Sequence, residues 1–170
     1  MTHWSVNHGD LLDCEADGLI CSANPNLNLS GGVGGAFALR FGEAMQKYLH
    51  THLREHGLTF IEPGNAVLAP SCGSPFRMVA HAVSIDGFYE TNAETIAETY
   101  LSALRQLAES GCQTVASACL GCGYGRVTST EFCDAIRRLV QHDTGVSNVT
   151  FGTTDESLAE AVRQMLREVL

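Results

Sequence analysis

Twice in this chain a run of apolar or small residues passes straight into a glycine-rich loop and then into a helical pattern. The first run is Gly18-Leu19-Ile20-Cys21-Ser22, followed by the turn-rich segment from Asn24 to Gly35; the second is Thr114–Cys119, followed by the loop Leu120–Val127. A strand that is apolar on both faces must be covered on both, which is how the strands of a parallel sheet between helices read. Strand, glycine-rich loop and helix is therefore the expected building unit.

The remaining segments follow the same grammar. A short strand is expected at Trp4–Asn7, and a helical pattern carries Phe37, Leu39, Phe41, Met45, Tyr48, Leu49 and Leu53 until Gly57 stops it. Strands at Asn65–Ala69 and Met78–Val83 are bracketed by proline-containing turns and read as a hairpin-like pair. Thr91…Glu94 has the spacing of a capping box before a helix that buries Ile96, Tyr100, Leu101, Leu104 and Leu107 and ends at Gly111. Thr128…Glu131 opens the next helix. A strand Asn148–Thr153 then leads, through Thr153…Glu156, into a last helix with Leu158, Val162, Met165, Leu166 and Val169 on one stripe. The expectation is one domain over residues 1–170, a three-layer α/β/α sandwich around a mixed, mostly parallel sheet.

Composition narrows the function classes. Lys and Arg number 10 against 19 Asp and Glu in 170 residues, a formal net charge of −9. Such a field repels polyanions, and the cations are scattered, so direct nucleic-acid binding is not expected. No apolar run approaches the roughly 20 residues of a membrane span, and the opening MTHWSVNHGD lacks the pattern of a signal peptide. A cytoplasmic protein without membrane contact is the expectation. The seven cysteines are an odd number and sit mostly in apolar stretches, so reduced, buried thiols are expected.

Both glycine-rich loops, Gly31-Gly32-Val33-Gly34-Gly35 and Leu120-Gly121-Cys122-Gly123-Tyr124-Gly125, leave the carboxyl end of a covered strand, the edge at which open α/β sheets bind ligands. Glycine lets backbone amides approach a ligand, and amides at a helix start attract phosphate without any side-chain charge. An acidic protein can bind an anion in this way. Neither loop has the GxxxxGK[ST] spacing of a nucleotide triphosphate site, and no clean G-x-G-x-x-G follows the first strand.

The order of these motifs resembles the macro domain family, the ADP-ribose-binding α/β/α module, over nearly the whole chain. His8-Gly9-Asp10-Leu11-Leu12 resembles the family's "GDI" opening. Ile20-Cys21-Ser22-Ala23-Asn24 is similar to its "VNAAN" strand end, and Ser30–Phe37 to "GGGGVDGAI". Met78–Val83 is similar to "VIHTV", and Ser117–Gly125 to the "SIAxPxLGTGxxG" loop. The resemblance implies that Asp10 accepts from the adenine amine with help from the Leu11 amide. It implies that Gly31, Gly32, Val33 and Gly34 clamp the diphosphate and second ribose from one side, and Gly121, Cys122, Gly123, Tyr124 and Gly125 from the other. Asn24 would hydrogen-bond that ribose, Tyr124 would pack beside it, and Phe151 would offer a stacking face to adenine. The implied partner is ADP-ribose or an ADP-ribosylated macromolecule, with no cofactor and no metal.

Departures from the family pattern bear on catalysis. Cys21 and Gly34 stand where hydrolytic members of one branch carry an amide and an acid, and no lysine lies in the Met78–Gly87 region where another branch would need one. Losing a positioned general base costs about 10²–10⁴-fold in rate. A binder is favoured, with an ADP-ribosyl hydrolase or O-acetyl-ADP-ribose deacetylase, working by a substrate-assisted route, as the alternative; no catalytic residue is assigned. Other readings of single residues stay open. Cys119 and Cys122 form a C-x-x-C that suits redox or zinc chemistry in other settings. His52 and His56 read as a solvated pair, His81 as a hydrogen-bonded core histidine, Asp10 and Asn24 as turn formers, and Asp86 and Glu90 as loop carboxylates bordering the cleft.

Overall fold

The computed structural model describes residues 1–170. The chain order is β1 (His3–His8), a 3-10 turn (Leu11–Asp13), β2 (Gly18–Ala23), α1 (Gly32–Phe41), α2 (Ala44–Glu55), β3 (Asn65–Pro70), β4 (Met78–Val83), α3 (Ala93–Glu109), β5 (Thr114–Ala118), α4 (Ser129–Leu139), β6 (Asn148–Thr153) and α5 (Glu156–Val169). The six strands form one sheet in the order β1-β6-β5-β2-β4-β3. All neighbours are parallel except β3 and β4, which pair antiparallel from Asn65↔Val83 to Pro70↔Met78 as the hairpin-like reading expects. Helices α3, α4 and α5 pack as one layer and α1 and α2 as the other, a mixed α/β sandwich.

The continuously apolar β2 lies in the middle of the sheet between β5 and β4, with Leu19, Ile20 and Cys21 fully buried. Along β6 the alternation of side chains sends Val149 and Phe151 into the core while Gly152 reaches the strand end. Phe151 is 0% exposed and stacks on Trp4 with ring centroids 5.9 Å apart. It meets Tyr100 and Phe132 edge-on at 5.6 and 5.9 Å. It is the centre of an aromatic core cluster and cannot present a face to a ligand, which corrects the stacking role expected of it.

Several local expectations also change. The helical pattern from Phe37 to Leu53 is broken at Gly42, whose φ of 88° closes α1 before α2 restarts at Ala44. Leu39 is 91% exposed, because it sits two residues, about 200° around the helix, from the buried Phe37. The cap of α3 is Asn92, whose side chain accepts from the Thr95 amide at 2.9 Å, and Thr91 takes no part. Asp155 caps α5 through the Leu158 amide, while Thr153 accepts the Asp155 amide one step earlier. The box at Thr128 and Glu131 forms as expected. His81 lies buried in β4 with neither ring nitrogen hydrogen-bonded, so burial pushes its pKa down to about 4 and the ring is neutral. No helix is long and apolar enough to cross a membrane.

Candidate ligand cleft

The carboxyl ends of β1, β2, β4, β5 and β6 all open onto one cleft of about 930 Å³. Its walls come from the Gly9–Leu12 turn, the Ser22–Gly34 segment, the loop after β4, the loop after β5 and the start of α5. Every residue expected at the site lines this cleft except Phe151. From β1 to β4 the edge spans four interstrand spacings, about 19 Å at roughly 4.8 Å each.

Backbone donors dominate the two glycine-rich loops. The amides of Gly31, Gly32, Val33 and Gly34 donate to no acceptor in the protein, and Gly35 is the first to bond, to the Gly31 carbonyl at 2.8 Å. They are the opening turn of α1, where unpaired amides and the helix dipole favour an anion. The amides of Gly121, Gly123, Tyr124 and Gly125 are likewise unpaired, while those of Cys122 and Val127 close the loop onto Cys119 and Gly121. The loop is anchored by buried Tyr100, whose hydroxyl donates to the Ala118 carbonyl at 2.6 Å and accepts the Leu120 amide at 3.0 Å. Tyr124 crosses from this loop to the other: its hydroxyl occupies the space a side chain on Gly31 would need.

No lysine, arginine or histidine lines the cleft, and its charged groups are Asp10, Asp86 and Asp155. Each of the three uses one carboxylate oxygen to hold backbone amides: Asp10 that of Leu12 at 2.9 Å, Asp86 those of Phe88 and Glu90 at 2.8 and 2.9 Å, and Asp155 that of Leu158 at 3.1 Å. The other oxygen of Asp10 lies 4.0 Å from Arg40, which pairs more closely with Asp13 at 2.6 Å. The Leu11 amide, at the start of the 3-10 turn, has no backbone acceptor. Asn24 is occupied within its own loop, donating to the Asn28 carbonyl at 2.7 Å and accepting the Asn28 amide at 3.1 Å. Its first task is to shape the turn.

Cys119 and Cys122 also line the cleft, as free thiols. Burial pushes the Cys122 thiol up to about 12, and burial together with neighbouring Cys122 raises Cys119 well above the ordinary thiol range. Neither is a thiolate, the form that attacks or binds zinc. Cys21 is fully buried inside β2 and lies outside the cleft wall, with its thiol also pushed up to about 12. Gly34 does face the cleft, but a side chain there would start 3.3 Å from the Leu29 side chain and 3.5 Å from its backbone.

Sequence reasoning missed Gly152, Asp155 and Leu158. Gly152 lets the Leu11 turn pack on β6: a Cβ would stand 2.8 Å from the Leu11 side chain and 3.2 Å from its backbone. An Asp directly before a helical stripe is a cap signal, and it was available at Asp155.

Comparison with known proteins agrees with this fold. The macro domain family model matches residues 20–136. A relative from Enterobacter cloacae subsp. cloacae named O-acetyl-ADP-ribose deacetylase is 28% identical over 169 residues, covering 96% of this chain and 93% of that protein. One from Citrobacter rodentium with the same name is 25% identical over 169 residues, with 96% and 94% covered. Among solved structures, a mutant Oceanobacillus iheyensis macrodomain with ADPR superposes at a TM-score of 0.86, with 17% identity, over 96% of this chain and 91% of that one. The Trypanosoma brucei macrodomain in complex with ADP-ribose gives a TM-score of 0.80, with 18% identity, over 96% and 69%.

Proposed function

Since the chain belongs to the macro domain family, we propose that its cleft binds ADP-ribose, free or carried on another molecule. The observation that carries this reading is the pair of glycine-rich loops, each offering four unpaired amides to a cleft without a single lysine or arginine. Diphosphate is the ligand group that such donors suit, because amide dipoles stabilise its charge without a counter-ion that would admit any polyanion. The remaining parts of the ligand follow from the strand order. Asp10 and the Leu11 amide stand at the β1 end, where the second oxygen of Asp10 accepts the adenine amine, and Leu11 and Leu158 supply the apolar wall that Phe151 does not. Asn24, Tyr124 and the loop after β4 stand at the other end, around the second ribose.

The names and coverage of the relatives favour O-acetyl-ADP-ribose deacetylation as a second reading. In it a water adds to the acetyl carbonyl, the ester C–O bond breaks, and acetate and ADP-ribose leave. No cleft side chain is assigned as a base in this reading, and the water is positioned by the ligand's own phosphate oxygens and hydroxyls, with one oxygen of each cleft carboxylate already holding backbone amides. A reducing, cytoplasmic setting accords with seven free thiols.

Calorimetric titration with ADP-ribose tests the binding reading, and acetate release from O-acetyl-ADP-ribose tests the second. ADP-ribose at 100 times its Kd should add about 2.7 kcal/mol, a Tm rise of about 5–10 °C for a chain of this size. The absence of both heat and a Tm shift would remove the ADP-ribose reading; binding without acetate release would remove the deacetylase reading alone.

A further inference from the structure

Resting on the reading of the cleft just given, we propose that its β4 end is built for a positively charged acceptor, so that the ADP-ribosyl group selected is one carried on an arginine side chain. The segment from Asp86 to Glu90, between β4 and α3, is a closed turn. The Asp86 amide donates to the Glu90 carbonyl and the Tyr89 amide to the Asp86 carbonyl, both at 3.1 Å, in addition to the two amides held by the Asp86 carboxylate. This bracing holds Tyr89 at a φ of 64°, a left-handed conformation that an aromatic residue adopts only when its surroundings impose it. The consequence is an aromatic pair at the cleft mouth: the Tyr89 and Tyr124 rings, from different loops, lie 6.0 Å apart at 43°. Phe88, next in the turn, is 86% exposed. A rigid turn that displays large apolar rings beside a cleft is a recognition surface rather than a solvated loop.

Charge selects what that surface recognises. Asp86 lines the cleft and Glu90 closes the same turn just outside the lining; neither takes part in any of the protein's ion pairs, and the lining holds no cation to neutralise them. A carboxylate in the lining, with a second in the same turn, on the side of the cleft that carries the two aromatic rings attracts a planar cation and repels a phosphate or an acidic peptide. An arginine whose guanidinium nitrogen is joined to the second ribose keeps its charge, stacks on tyrosine and donates to carboxylates. An acyl ester or a serine linkage offers none of these.

The test uses the full chain and three ligands: free ADP-ribose, and one peptide sequence ADP-ribosylated on arginine or on serine. The expected result is that the arginine-linked peptide binds about fivefold more tightly than the serine-linked one. The preference should shrink at high salt, as exposed charge pairs do. Glu90→Gln and Tyr89→Leu should each bring the ratio of the two affinities toward one, and if Tyr89→Leu fails to fold, Glu90→Gln carries the comparison. Equal affinities, a preference for the serine linkage, or a preference untouched by Glu90→Gln would overturn the proposal. If free ADP-ribose also fails to bind, the underlying reading falls with it; if free ADP-ribose binds and the peptides are equal, only the charged-acceptor assignment falls.

Discussion

A side chain added at Gly32 would meet no atom within 4 Å, whereas one added at Gly125 would start 2.7 Å from the Gly121 carbonyl and 3.0 Å from Ile85. The two glycine-rich loops thus use the same residue for different physical reasons. In the first, Gly31 and Gly32 have φ of 66° and 51°, and the empty space beside Gly32 adjoins the cleft. In the second, a Cβ added at Gly121, whose φ is 80°, would start 2.8, 3.2 and 3.3 Å from the side chains of Val127, Ile96 and Thr91, so its shape is imposed by packing. Gly123, at the tip, is the exception, with nothing within 4 Å. One loop is open toward the cleft; the other is built into the core and exposes only its tip.

That contrast predicts separable effects. Gly32→Glu brings a carboxylate into the cleft space proposed for diphosphate and should weaken ADP-ribose at least about 100-fold, by loss of volume and by charge repulsion, at a stability cost of about 1–2 kcal/mol for the left-handed backbone. Calorimetry and denaturant unfolding on the same sample separate the two; an unchanged Kd would break the assignment of that space. Gly125→Ala should cost about 2–3 kcal/mol of stability, a Tm fall of about 5–10 °C, because the obstacle is a backbone carbonyl that cannot rotate away. A melting curve matching the parent would show that the second loop is not wedged. Tyr100→Phe removes both hydroxyl bonds that anchor this loop and leaves the Ala118 carbonyl and Leu120 amide buried without partners. A loss of about 1–3 kcal/mol is expected in urea unfolding, with a several-fold weaker ligand. Gly123→Ala should be the mildest, within about 1 kcal/mol of the parent and on the stable side, since its φ is not left-handed. A destabilised Gly123→Ala would mean that the tip is packed as tightly as the rest.

Much of this architecture is legible in the amino-acid sequence. Continuous apolar runs at Gly18–Ser22 and Thr114–Cys119 mark strands covered on both faces, and β2 and β5 are indeed inner strands. The glycine-rich loops, with Asp10 ahead of them, mark the cleft wall because a tight turn from the carboxyl end of an inner strand into a helix is a local feature that glycine signals wherever it stands. The burial of Phe151 is not legible in the same way. An apolar residue near a strand end reads the same whether it faces the cleft or the helix layer, and only the packing of Trp4, Tyr100 and Phe132 around it decides. The caps at Asn92 and Asp155 are shifted by one or two residues from the threonines because threonine, asparagine and aspartate all accept amides, and backbone direction chooses among them. The Tyr89–Tyr124 pair lies beyond sequence reasoning, since it joins two loops 35 residues apart through a turn whose closure depends on Asp86.

The most direct test is a ¹H–¹⁵N correlation spectrum recorded through a titration with ADP-ribose. Large shifts and slowed hydrogen exchange are predicted for the amides of Gly31, Gly32, Val33 and Gly34 and for those of Gly121, Gly123, Tyr124 and Gly125, which have no acceptor in the free protein. Shifts confined to other surfaces, with these eight amides unmoved at saturation, would contradict the conclusion that the two glycine-rich loops hold the diphosphate.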